Sequence, residues 1–378
     1  MRGTPLAVLS MVEALAARGH ELDLLTYPQG ASVEVPGLRH LRSPRLPVGR
    51  VKAGPSLAKL LLDVPFMAKA GWRMLRGRYD VVHAVEEAAH LAAPLARALG
   101  LPLVVDVDSS IPDQLRESGF ARRGPLLWLA EGLEAHALRH AAAVITVCGS
   151  LTESVKARVR DAPVFQVEDP PLVDPASPPD PSAVAALRTE LNLLPLPVVL
   201  YSGNFEPYQG VDLLLEAAGL VAEAQFVFMG GEPREIEALR RRARINGAAE
   251  RCRFSGKRPP AELPLFLAAS DLLVSPRCRG ANTPFKIYSY LASGRPLVAT
   301  RIPTHTQLLD DSMAFLVQPT AEGLAAGIRL ALSAPQDALA RAARGRELIE
   351  REYSRSRYLE KVGRAYEAVE TIVSSRVR

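Results

Sequence analysis

Three cations and a helix start stand close together in SPRCRGANTPFKIYSYLASGRPLVAT, residues 275–300. Thr283 followed by Pro284 reads as an N-cap and a first helical residue, the types favoured at those two positions. Backbone N–H groups in a first helical turn lack intrahelical partners and lie at the positive end of the helix dipole. Lys286 adds a charge beside them, and Arg277 and Arg279 precede them. The chemistry this pattern suits is the holding of a phosphate.

YSGNFEPYQGVDLLLEA, residues 201–217, is a second such place, with Gly203 and Gly210 bracketing a loop between a strand and a helix. Gly203 lets a backbone approach a phosphate closely, and Gly210 suits a turn. Neither loop has the spacing of a P-loop, and MGGEP at 229–233 is an incomplete dinucleotide fingerprint. Ordinary ATPase and NAD-dependent readings lose most of their support.

The elements around these loops alternate. YDVVHAV (79–85), PLVVDVD (102–108) and AAVITVC (142–148) are short Val- and Ile-rich runs separated by helical stretches. PVVLYSG, AQFVFMGG, CRFSGK, DLLVSP and PLVAT repeat the pattern between 197 and 300. Strands alternating with helices imply parallel sheets covered on both faces, where ligands sit beyond the carboxyl ends of the strands. DPPLVDPASPPDPSAV (169–184) can continue neither a helix nor a central strand, and it marks the boundary between two domains. The expected division is 1–175, 176–355 and a C-terminal helix, 356–378, packing back on the first domain. At 378 residues the chain suits two such domains, and two domains imply a cleft.

No apolar run approaches the roughly 20 residues of a membrane-spanning helix. Cys148, Cys252 and Cys278 lie far apart without metal-ligand spacing, which fits a reduced, cytoplasmic compartment. The net charge is +5, yet residues 39–78 carry ten basic residues (Arg39, Arg42, Arg45, Arg50, Lys52, Lys59, Lys69, Arg73, Arg76, Arg78) against one acid, Asp63. Interleaved with Leu60 to Leu62, Val64, Phe66, Met67 and Trp72, this segment reads either as a peripheral contact with the inner face of a membrane or as a solvated face over a core stripe. No nucleic-acid recognition motif accompanies the charge.

The order SGNFEPYQGVDLLLEA, FVFMGG, FSGKRPPAELPLFLAASDLLVSP, TPFKIYSYLASGRPLVAT and LLDDSMAFLVQP resembles the donor-binding half of family-4 glycosyltransferases. LAARGHELDLLT and YDVVHAV resemble the acceptor half. The resemblance implies the GT-B fold, an α/β architecture of two Rossmann-like domains facing a cleft. It also implies retaining transfer of a sugar from a nucleotide diphosphate sugar to a glycan or lipid-linked acceptor, with no cofactor and no obligatory metal. The implied donor set is Gly203, Asn204, Gln209, Arg277, Arg279, Ala281, Asn282, Thr283, Lys286 and Ser289.

Departures from the family pattern fall inside that set. Asn204 stands where the family has Arg, Gln209 where it has Lys, and Ala281 and Ser289 where it has a pair of glutamates. Ser289 keeps a hydroxyl for a ribose, Ala281 offers only backbone, and Arg277, Arg279 and Lys286 are the cations left to replace those lost. These losses also fit a catalytically silent homologue that binds or scaffolds. A strand and a glycine-rich loop open the family's first domain, and neither fits ahead of Thr4. The expectation is a first domain without its first strand or a start lying upstream, and the unpaired edges of an interrupted sheet favour the latter.

On the acceptor or sugar side, His83 at a strand end suits either a contact residue or a satisfied structural histidine. Asp106 and Asp108 share a strand face, with Asp108 the contact residue. Glu86 and Glu87 read as helix-capping groups. No general base and no metal ligand is assigned.

Overall fold

The computed structural model describes residues 3–47, 57–117 and 123–377. The strands are β1 (Leu22–Thr26), β2 (Leu38–Arg42), β3 (Val82–Val85), β4 (Leu103–Val107), β5 (Ala143–Thr146), β6 (Val164–Gln166), β7 (Val198–Ser202), β8 (Gln225–Met229), β9 (Cys252–Gly256), β10 (Leu272–Ser275), β11 (Leu297–Thr300) and β12 (Phe315–Val317). The chain divides into two units, Asp169–Arg357 and Thr4–Glu168 with Tyr358–Arg378.

In the Asp169–Arg357 unit, runs such as VVLYS and QFVFM are apolar at nearly every position, as strands buried on both faces must be. They form an all-parallel sheet in the order β12-β11-β10-β7-β8-β9. Leu214, Leu215, Ala218 and Ile328 cover one face with Phe226 and Phe228. Phe266, Ile287, Tyr290 and Leu291 cover the other with Leu200 and Leu273. Strand order runs outward from β7 in one direction and from β10 in the other, so the point of reversal lies between β7 and β10. Loops leaving the carboxyl ends of strands at such a point diverge and leave room for a ligand.

The other unit holds a parallel four-stranded sheet, β3-β4-β5-β6, and a separate parallel pair, β1-β2. The Gly3–Ala17 and Arg355–Val377 helices lie on one side of the larger sheet, with Met11, Leu15, Val362 and Tyr366 against Val104 and Ile145. The Leu57–Arg76, Glu87–Ala98 and Pro125–Arg139 helices contribute Met74, Ala93 and Leu138 to the core on the other side. Among the described residues no strand precedes the first helix, and β1 and β3 each pair on one side only. All five residues of β1 are half-buried, whereas all five of β4 are buried.

The basic segment is not one surface. Arg39 pairs with Asp23, and Arg42 is bound to the carbonyls of Pro28 and Gly30, so β2 uses its cations internally. Its alternation of Leu with Arg and His hid a strand that the charge count passes over. Residues 48–56 of that segment lie outside the described residues. No described helix is long and apolar enough to cross a membrane.

Candidate functional site

The loops after β7 and β10 meet at the reversal point. Gly210 ends the Pro207–Gln209 turn at φ +70° and opens the Val211–Leu220 helix. A Cβ on it would stand 1.9 Å from the Pro276 carbonyl oxygen, so only glycine lets the two loops touch. Cys278 N–H donates to the Tyr208 carbonyl, 2.9 Å, and closes the same contact. A Cβ on Gly230 (φ +130°) would stand 1.8 Å from the Gly203 carbonyl oxygen, which brings the turn after β8 against the turn after β7.

Lys286 reaches into this junction. Its Nζ donates to Gln209 Oε1, 3.1 Å, and lies 3.9 Å from the centroid of the Tyr201 ring. It also stands 3.1 Å from where a Gly203 Cβ would be, so the missing side chain of Gly203 leaves the amine its space. Burial, and then the nearby Arg277 guanidinium, hold the Lys286 pKa well below that of an ordinary lysine. Among the described residues no carboxylate pairs with it. A half-buried lysine without a carboxylate partner is protonated more readily when an anion is placed beside it.

The remaining sequence candidates differ in what already holds them. Arg277 is buried and spent on its own loop: it donates to the Arg279 carbonyl and to both oxygens of Asn282, and stacks over Tyr208 at 5.2 Å. It shapes the loop and adds charge, so it does not serve as a mobile phosphate ligand. Arg279 is exposed, with no ion pair among the described residues. Asn204 is turned inward, its carbonyl accepting from Tyr201 Oη (2.6 Å) and its Oδ1 from the Glu206 N–H. The Ala281 carbonyl accepts from Gln307 Nε2 at 3.0 Å.

Three expectations are corrected. The helix begins at Lys286 with Phe285 at the N-cap position, and buried Thr283 makes no capping bond. Ser289 is fully buried and its Oγ accepts the Leu172 N–H, 2.9 Å, so its hydroxyl is committed to packing rather than offered to a ribose. The Gly203 N–H donates to the Met229 carbonyl and is not free for a phosphate, while Gly210 closes the turn expected of it.

Sequence reasoning passed over Tyr201, Gly230 and His305. His305 is fully buried, its Nε2 2.9 Å from Ser275 Oγ and its Nδ1 2.8 Å from the Thr300 carbonyl, one acceptor and one donor satisfied. Burial, with Arg277 and Lys286 adding to it, pushes its pKa from the ordinary 6.5 down to about 3. The unfolded chain takes up this proton near 6.5 and the native state refuses it, so the associated stability is present above about 6.5 and lost as pH falls towards 3. His305→Gln is expected to flatten that part of the acid dependence; urea unfolding at a series of pH values shows an unchanged slope if the assignment is wrong.

In the other unit, His83 Nδ1 lies 2.7 Å from Tyr366 Oη and its Nε2 3.5 Å from Asp106 Oδ2. Asp106 and Asp108 are both buried at the carboxyl end of β4. Glu86 does not cap its helix. It sits at φ +51°, accepts from Ser109 Oγ at 2.6 Å, and burial raises its carboxyl pKa. Glu87 pairs with Lys59.

Two family models match the chain: a "Glycosyl transferase 4-like domain" over residues 2–168 and "Glycosyl transferases group 1" over 196–334. The chain is 28% identical over 234 residues to the alpha-D-kanosaminyltransferase of Streptomyces kanamyceticus, covering 60% of this chain and 59% of that protein. It is 35% identical over 133 residues to the GDP-mannose-dependent alpha-(1-6)-phosphatidylinositol monomannoside mannosyltransferase of Mycolicibacterium smegmatis, 32% of this chain and 35% of that one. The matches thus span less than two thirds of the length of either relative. Among solved structures, sucrose-phosphate synthase from Thermosynechococcus elongatus superposes with a TM-score of 0.80 at 20% identity, over 98% of this chain and 94% of that one. Anabaena HepE in complex with UDP and glucose gives 0.77 at 17%, over 97% and 96%, and both share the fold.

Proposed function

This chain belongs to the family-4 glycosyltransferases of GT-B fold, and from that premise we propose that it transfers a glycosyl group, with retention, from a nucleotide diphosphate sugar to a glycan or lipid-linked acceptor. The observation that carries the reading is the Lys286 amine, without a carboxylate partner among the described residues, at the reversal point of the sheet. As the glycosidic bond breaks, negative charge accumulates on the departing diphosphate. A fixed cation in a desolvated site stabilises that charge without reorganising. Lys286 lies against Gln209, the position where the family carries its own lysine, so the charge enters from the helix rather than from the loop. This reading needs no metal. A nucleotide-sugar donor fits a cytoplasmic reaction.

Diphosphate binding favours the protonated amine, whose pKa is depressed in the free protein. Binding therefore takes up a proton, and affinity falls as pH rises through the free-state pKa. Calorimetric titration with UDP, GDP and their sugars, in buffers of different ionisation enthalpy and at several pH values, is expected to show one saturable nucleotide and a buffer-dependent enthalpy. Saturation without buffer dependence would remove Lys286 from the site. Saturation without transfer to any acceptor would favour the silent homologue, a reading supported by the changes at Asn204, Gln209, Ala281 and Ser289.

A further inference from the structure

The Leu57–Arg76 helix presents an apolar stripe to solvent. Leu61, Val64, Ala68, Trp72 and Leu75 are all exposed, at steps of three or four residues, and Val64 and Leu75 are 70% and 64% exposed. The same helix buries Leu62 and Met74 on its inner side. A helix that is apolar on both sides is ordinarily enclosed, and an outward apolar stripe of this length calls for a partner.

The neighbouring helices expose apolar side chains as well. The Leu57–Arg76 helix packs on Glu87–Ala98, which packs on Pro125–Arg139. Leu91 on the middle helix is exposed, as are Leu126, Trp128 and Leu129 at the start of the third. Trp72 and Trp128 are the only two tryptophans of the chain, and both are exposed on these helices. Arg76, Arg78 and Arg123 are exposed and make no ion pair among the described residues, and the Arg76 guanidinium lies 5.5 Å from the centre of the Trp72 ring.

We infer that this three-helix face docks on an anionic lipid bilayer. Leucine and tryptophan side chains would enter the headgroup boundary while the arginines reach lipid phosphates. A second copy is the competing occupant. A two-fold pairing of this face would set the same unpaired arginines against each other, whereas an anionic surface compensates them. The inference is independent of the donor site, which lies in the other unit.

Because both tryptophans are exposed on these helices, their fluorescence reports the docking directly. With vesicles of phosphatidylcholine and phosphatidylglycerol, emission of the intact chain is expected to move to shorter wavelength and be quenched by brominated acyl chains, with little response to phosphatidylcholine alone. Apparent partitioning should fall about tenfold or more for each of Val64→Asp and Leu75→Asp. Arg76→Gln and Arg78→Gln should each lower it roughly fivefold, and high salt should mimic them. No shift with anionic vesicles overturns the inference. So does a shift that appears in vesicle-free buffer as protein concentration rises, which would assign the face to a second copy.

Discussion

Lys286→Met is expected to lower kcat/KM for glycosyl transfer by about 10²–10³, the loss seen when one preorganised group facing a developing negative charge is removed. The same change should raise stability. The native state holds a half-buried amine with Gln209 Oε1 and the Tyr201 ring as its neighbours and no carboxylate partner among the described residues. An isosteric apolar side chain relieves the cost of burying it, by about 1 kcal/mol or a Tm rise of about 2–4 °C. Opposite signs in activity and stability distinguish a functional cation from a structural one, because a structural role would lose both. Arg279→Ala provides the contrast. Its charge is exposed and screened, so a several-fold change in KM is expected. Transfer by Lys286→Met within threefold of the parent would end the role given to this residue.

Gly210→Ala should be among the most disruptive single-methyl additions to the donor-side unit. An alanine at φ +70° is strained by roughly 1–3 kcal/mol. Its Cβ would also meet the Pro276 carbonyl at 1.9 Å, a backbone group that yields only if the loop after β10 moves. Overpacking of this kind adds roughly 1–3 kcal/mol. A total of about 2–6 kcal/mol is a large part of the roughly 5–15 kcal/mol that holds a domain together. The urea midpoint should fall accordingly, and whatever remains folded should lose nucleotide affinity because the two loops no longer meet. Gly132→Ala is the control: that glycine lies in the Pro125–Arg139 helix with nothing within 4 Å of an added Cβ. Alanine there should stabilise the helix by about 0.5–1 kcal/mol. Equal midpoints for Gly210→Ala and the parent would show that the loop contact is looser than described.

Strands with continuous apolar runs were legible because burial on both faces leaves no room for polar positions. VVLYS, QFVFM and LVVDV are of this kind. The short edge strands β2 and β6 were not, since LRHLR and VFQ carry neither a long run nor a strong alternation. Glu86 shows the same limit at the level of one residue. Two acids before an alanine-rich helix look like capping groups, but the chain turns through φ +51° there and sends the first carboxyl to Ser109 instead.

Residue types and their spacing thus determined the alternation of strands and helices and the presence of Lys286 at a helix start. These follow from local rules of burial period and backbone freedom, which act over a few residues. Tertiary structure decided which groups are free to act. It joined Gly210 to Pro276, turned Ser289 to Leu172, spent Arg277 on Asn282 and left the Lys286 amine against Gln209, a residue 77 positions away. A polar group's chemistry depends on whether its hydrogen bonds are already made, and partners that far apart in sequence are brought together only by the order of strands in the sheet.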